Sequence, residues 1–223
     1  MDERALADTQ ESRVRAGPRY GILGGTFDPP HLGHLVLAQE VHARLGLDRV
    51  WFLPAGVPPH KTGRAVSPAA DRHEMVQRAI AGDERFALSA VELTRPGPSY
   101  TADTLEQLRE QWGRHAVLHL ILGWDMLMYL PNWHAPERVL AAADVVVAAH
   151  RPDALGAPSA RDDLVRLAQR IPAVTGKVVV LPAPQLDISA SALRERVASG
   201  LPIRYLVPDA VREYIDQHAL YRA

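Results

Sequence analysis

The sequence predicts an α/β protein built as a single domain on one doubly wound parallel sheet. Three observations carry that prediction. Short apolar runs of strand length alternate with helix-period segments along most of the chain, Gly- and Pro-rich stretches follow the strands, and 223 residues suit one large domain better than two small ones. A sheet of this kind binds ligands beyond the carboxyl ends of its strands, where the strand order reverses. The loops after the strands are therefore where a site is expected.

Arg19-Tyr20-Gly21-Ile22-Leu23 reads as the first strand, followed by a Gly-Gly turn and a helix in which Leu35 to Val41 repeats apolar residues at helical spacing. Asp48 to Pro54 reads as the second strand, and the Pro- and Gly-rich stretch Ala55 to Gly63 as a flexible flap over a site. Ser67-Pro68 predicts a capped helix start with proline in the first turn, leading into Ala69 to Ala81. Phe86 to Val91 is a third strand, and Tyr100 to Leu105 opens the next helix. A buried strand over Ala116 to Leu122 ends in Gly123-Trp124-Asp125. Val145 to Val147 forms another strand ending near His150-Arg151, Ser159 to Arg170 a helix, and Val178 to Val180 the last strand. Pro208 to Tyr221 spaces Val211, Tyr214, Ile215 and Leu220 for a helix that packs back on the domain. Residues 1–17, polar and of mixed charge, are expected to be a flexible tail preceding a domain over 18–223.

Composition narrows the function classes. A hydrophobic fraction of 47% supplies a core, while a net charge of −1 provides no basic field for duplex nucleic acid, so any anion must be met by local groups. The absence of cysteine removes disulfides and thiol chemistry and fits a cytoplasmic protein. The longest apolar runs, such as Ala141 to Ala149 with Asp144 inside it, fall far short of the roughly 20 residues of a membrane helix. Neither nucleic acid nor membrane is expected as a partner, and a homo-oligomer is left open.

The most informative stretch is Gly24-Gly25-Thr26-Phe27-Asp28-Pro29-Pro30-His31-Leu32-Gly33-His34. Glycines let the backbone approach an anion closely, and the first N–H groups of the following helix carry the positive end of its dipole. His31 falls at the helix mouth and His34 about one turn in, so both imidazoles can face one phosphate. Taken alone, the glycines also fit a ligand-free turn, and the histidines a helix cap and a core or surface residue. A metal site fails on ligand count, since there is no cysteine and no third ligand at a zinc-type spacing. Walker and dinucleotide glycine fingerprints are both absent. A second cluster, Ile188-Ser189-Ala190-Ser191-Ala192-Leu193-Arg194, places two hydroxyls and an arginine at another helix start. It reads either as an ordinary cap or as a second anion site for the outer phosphates of a nucleoside triphosphate.

With these motifs the chain resembles the bacterial nicotinate-nucleotide adenylyltransferases, within the nucleotidyltransferases that share a His-x-Gly-His motif. The likeness runs from about Arg19 to Tyr221. It includes Leu53-Pro54-Ala55 with Pro58-Pro59-His60-Lys61, Ser99-Tyr100-Thr101 with Asp103-Thr104-Leu105, Gly123-x-Asp125, Trp133 and Arg151. Ala190 departs from the family's usual second serine and Ser191 from its frequent threonine, and the N-terminal extension of about seventeen residues lies outside the pattern.

The resemblance implies a Rossmann-like fold of nucleotidyltransferase type and transfer of AMP from ATP to nicotinate mononucleotide, giving deamido-NAD and pyrophosphate. It assigns His31, His34 and Arg194 to catalysis, with both histidines protonated beside phosphates. ATP binding falls to Gly24, Gly25, Thr26, Phe27, Gly123, Asp125, Arg151, Ile188, Ser189 and Ser191, with Asp125 accepting from the ribose hydroxyls. The mononucleotide falls to Asp28, Lys61, Thr101, Trp133 and His134, Trp133 stacking on the pyridine ring. Without that context Asp125 is equally a helix cap and Trp133 a core residue. Mg2+ is expected on the outer phosphates, held by phosphate oxygens and water rather than by a protein metal site. Two other readings are a phosphopantetheine adenylyltransferase, usually shorter and without the Pro-Pro-His-Lys and Ser-Tyr-Thr features, and a non-catalytic nucleotide-binding regulator, against which the intact His31, His34 and Arg194 count.

Overall fold

In the computed structural model, which describes residues 17–59, 66–150, 158–184 and 186–222, strands and helices alternate as the hydrophobic pattern requires. Chain order begins β1 (Arg19–Gly25), α1 (Leu32–Leu45), β2 (Arg49–Pro54), α2 (Ala69–Ala79), β3 (Phe86–Leu88) and α3 (Thr101–Trp112). It continues with β4 (Val117–Gly123), α4 (Trp124–Tyr129), α5 (Pro136–Ala142), β5 (Val145–His150), α6 (Pro158–Arg170), β6 (Val178–Pro182), α7 (Ala190–Ala198) and α8 (Asp209–Gln217). All neighbouring strands pair in parallel, in the order β3-β2-β1-β4-β5-β6. The chain winds outward from β1 to β3, then returns to β4 on the other side. The order therefore reverses between β1 and β4, which opens a crevice at their carboxyl ends.

The central strands read as continuous apolar runs because both faces are covered. Ile22, Leu120 and Val146 pack on one face with Leu105, Leu108 and Leu140 of α3 and α5, while their sequence neighbours Leu23, Ile121 and Val147 pack on the other with Ala38, Val41 and Val76 of α1 and α2. This is the two-residue period of a strand buried on both sides. A third cluster joins Met75 to Leu193, Val211, Tyr214 and Ile215, so α8 does pack back on the domain. Tyr214 also donates to Asp71 at 2.7 Å.

Two local expectations change. The third strand stops at Leu88 rather than Val91, because the chain turns at Ala90, whose carbonyl accepts from Leu93 and Thr94 N–H. At the start of α2 the N-cap is Pro68, with no side-chain cap, and the Ser67 N–H is directed to Asp28 instead. Among the described residues no helix is long and apolar enough to cross a membrane.

Candidate active site

A cleft of about 730 Å³ opens at the carboxyl ends of β1 and β4, within the range of small-ligand sites. Gly24, Gly25, Thr26, His31, His34 and Gly123, all predicted site residues, line it. A Cβ added at Gly24 or Gly123 would meet nothing within 4 Å, so both backbone faces are open to the cleft.

His31 is the N-cap of α1 and His34 lies at the third helical position. Their rings stack with centroids 3.7 Å apart, and the His31 N–H donates to His34 Nδ1 at 3.1 Å. A neutral imidazole that accepts at Nδ1 carries its proton on Nε2, so the bond leaves His34 with Nε2–H as a donor. Burial pushes the His31 pKa down to about 4, and burial followed by the charge of His31 pushes that of His34 to about 3. Both rings are neutral at pH 7. The imidazolium expected from the sequence belongs to the complex with substrate phosphates; without them, burial sets the protonation state of both rings.

The backbone around the pair is built for it. The ring of Phe27, a residue expected to bind ATP, lies in the core, 2% exposed, edge-on to His34 at 4.9 Å and beside Phe52 at 5.8 Å, which leaves the expected contact to its main chain. Its φ of +52° is uncommon for a bulky residue and costs on the order of 1 kcal/mol, which its packing behind His34 offsets. Gly33 lies directly beneath the other ring. A Cβ there would sit 3.0 Å from His31 Nδ1 and 3.1 Å from Cε1. Gly33→Ala is therefore expected to displace the His31 ring by tenths of an ångström and lower kcat about tenfold, with little change in melting temperature. Steady-state kinetics beside a thermal melt checks this, and wild-type kcat would remove the positional role of Gly33.

Of the second cluster, Arg194 lines a separate cavity of about 450 Å³ with Asp28, Ser67 and Tyr221 rather than the main cleft, and Ile188, Ser189 and Ser191 line neither. Ser189 is the N-cap of α7 and accepts from the Ala192 N–H at 3.2 Å, so its hydroxyl performs the capping role. Arg194 Nη1 donates to the Asp28 carbonyl at 2.7 Å, and Nη2 to Ser191 Oγ at 3.4 Å. Ile188 packs against the C-terminal cluster. Asp28, expected to meet the mononucleotide, is not among the residues lining the main cleft. It is 1% exposed, and its oxygens accept from Tyr221 Oη at 2.7 Å and Ser67 N–H at 3.3 Å. The segment from Asp28 to His31 thus links the arginine side to the histidine side.

The far wall is made by Thr101, the first residue of α3, together with Trp133. No side chain caps α3, and His134 stacks on its N-cap residue Tyr100 at 4.0 Å. Asp125 stands in the first turn of α4, whose N-cap is Gly123, and is exposed. Lys61 and Arg151 lie outside the described residues. Sequence reasoning missed Glu92, a buried carboxylate in the same wall that accepts from Thr104 Oγ1 at 2.8 Å. Burial raises its pKa, while hydrogen bonds from Thr104 and Ser99 act in the opposite sense. It also missed Arg72, buried beneath the cleft. Among the described residues no group of three or more His, Asp or Glu is placed to hold a metal ion.

The cytidylyltransferase-like family model matches residues 22–196. A Thermomicrobium roseum protein named "Probable nicotinate-nucleotide adenylyltransferase" is 46% identical over 204 residues, covering 92% of each chain. A protein of the same name from Roseiflexus sp. is 46% identical over 202 residues, 91% of this chain and 97% of its own. Among solved structures, the nicotinic acid mononucleotide adenylyltransferase of Plasmodium falciparum complexed with NaAD superposes with a TM-score of 0.72 at 18% identity, covering 92% of this chain and 97% of that one.

Proposed function

The chain belongs to the cytidylyltransferase-like family and, within it, to the nicotinate-nucleotide adenylyltransferases, and from that premise we infer that it transfers AMP from ATP to nicotinate mononucleotide, releasing pyrophosphate and forming deamido-NAD. The observation that carries the reading is the pairing of two anion-seeking features in one cleft: the His31–His34 stack on one side and the uncapped start of α3 on the other.

The acceptor phosphate has a second pKa of about 6, so it is largely ionised at neutral pH and attacks the α-phosphorus directly, without a general base or covalent intermediate. A phosphate oxygen forms the new P–O bond as the bond to pyrophosphate breaks. His34 Nε2–H donates to the transferring phosphoryl group as charge spreads over its oxygens, and His31 stands beside it. Arg194 holds the outer phosphates. Thr101 and the N–H groups at the start of α3 donate to the nicotinate carboxylate, and Trp133 packs against the pyridine ring. Asp125 takes the ribose hydroxyls. Mg2+ would be held by the phosphate oxygens of ATP and by water and would draw charge from the leaving pyrophosphate.

Incubation with ATP and Mg2+ plus nicotinate mononucleotide, nicotinamide mononucleotide or phosphopantetheine, read by pyrophosphate release, tests the assignment. The expected result is fastest release with the nicotinate substrate. Release with phosphopantetheine alone, or no release at all, would overturn it.

A further inference from the structure

Arg72 lies in the first turns of α2, is 1% exposed and points under the cleft. Its Nε donates to the Ser67 carbonyl at 2.9 Å, Nη1 to those of Thr26 at 2.9 Å and Ala55 at 2.6 Å, and Nη2 to that of Gly56 at 3.1 Å. These four oxygens belong to three separate segments: the loop after β1, the loop after β2, and the approach to α2. The β1–β2 ladder gives out at this point, its register ending at Gly25 and Pro54, with one further bond from Ala55 N–H to the Gly25 carbonyl at 2.9 Å. Beyond it two strand ends diverge toward the cleft with main-chain carbonyls that need donors. Nη1 reaches one carbonyl on each.

We propose that Arg72 is a positioning residue for adenylyl transfer, its planar fork setting the distance between the phosphate-binding loop after β1 and the opposing wall at Ala55–Val57. The other edge of that wall is fixed as well. Ser99 Oγ accepts from the N–H groups of Gly56 at 2.9 Å and Val57 at 3.3 Å, and Ser99 N–H donates to the Val57 carbonyl at 2.9 Å. Gly56 is pressed so closely on Glu92 that an added Cβ would lie 2.4 Å from its carbonyl oxygen. Ser99 and Glu92 thus fix the wall from one direction and Arg72 from the other. Thr26, Ala55 and Pro58 face the cleft from these segments, so a change in the fork is felt where both substrates meet. An ammonium is a point charge with no such fork, which separates this role from simple neutralisation of the nearby Asp28 and Glu92.

This inference rests on the proposed activity for its kinetic half only. In Arg72→Lys, hydrogen exchange followed by mass spectrometry is expected to quicken about tenfold over residues 24–28 and 55–59 and to stay unchanged in α1. KM for nicotinate mononucleotide is expected to rise about tenfold with a smaller fall in kcat. Exchange and KM restored to wild type by lysine would overturn the proposal in favour of charge alone. A uniform loss of active protein with unchanged KM would overturn it in favour of a merely structural role. Should the variant not fold, the wild type still answers: Arg72 Nε–H, followed by NMR, is expected to exchange at least about a hundredfold more slowly than that of an exposed arginine, and equal rates would overturn the fork. A wild-type protein inactive on nicotinate mononucleotide would fail the functional assignment while leaving the exchange and NMR outcomes to decide for or against Arg72.

Discussion

Replacing His34 by alanine is expected to lower kcat by roughly 10² to 10³, the usual cost of removing one donor aimed at developing charge. His34 is the ring whose tautomer the backbone dictates: Nδ1 is occupied by the His31 N–H, so the opposite nitrogen is a donor at pH 7 without being charged. Alanine removes that donor and also one helix-end hydrogen bond, which costs about 1 kcal/mol of stability and lowers the melting temperature by a few degrees. The two losses separate in His34→Gln. Glutamine at the third helical position is a normal acceptor for the N-cap N–H, so stability should return while turnover does not. Pyrophosphate release under saturating substrates and circular dichroism on both variants test this. Near-wild-type turnover in His34→Ala would remove the histidine from the reaction.

How much of this was legible in the sequence depends on whether a feature is local. The run from Gly24 to His34 is local: glycine freedom, helix start and the His-x-Gly-His spacing lie within a few residues, and the structure brings both rings to one cleft with Gly33 beneath. Thr101 and Trp133 were placed by resemblance, and they do line that cleft. Phe27 and Asp28 sit within the same motif yet turn inward, because their partners, Phe52 for one and Tyr221 for the other, are distant in sequence. Arg72 was invisible for a related reason. An arginine in an amphipathic helix reads as a solvated residue, and nothing in its neighbourhood announces that three separate loops will converge on it. Glu92 likewise follows a strand that ends earlier than its apolar pattern suggests. The protonation states of the histidines depend on burial, which spacing does not encode.

That burial has a thermodynamic consequence. A group whose folded pKa is depressed binds fewer protons in the folded than in the unfolded state between the two values, so folding stability falls as pH drops through that interval. For His31 the interval runs from about 6.5 down to about 4, and for His34 from about 6.5 to about 3. The contribution is complete above pH 6.5 and is lost on acidification; at about 1.4 kcal/mol per pH unit, His31 alone accounts for roughly 3 kcal/mol of it. Because the rings stack at 3.7 Å and repel once charged, they titrate as a pair. Urea midpoints at pH 7, 5.5 and 4.5 should therefore fall more steeply in the wild type than in a His31→Asn/His34→Gln double variant, and equal slopes would show that burial of the pair carries no such penalty. The same linkage governs substrate binding with the opposite bias. A triphosphate against the pair favours the protonated form of His31, so ATP affinity is expected to tighten as pH falls from 7 to 5.5, with proton uptake on binding measurable by calorimetry in buffers of different ionisation enthalpy. His31, neutral by itself, then acquires charge only when an anion is there to stabilise it, while His34, its Nδ1 occupied by the His31 N–H, remains the neutral donor.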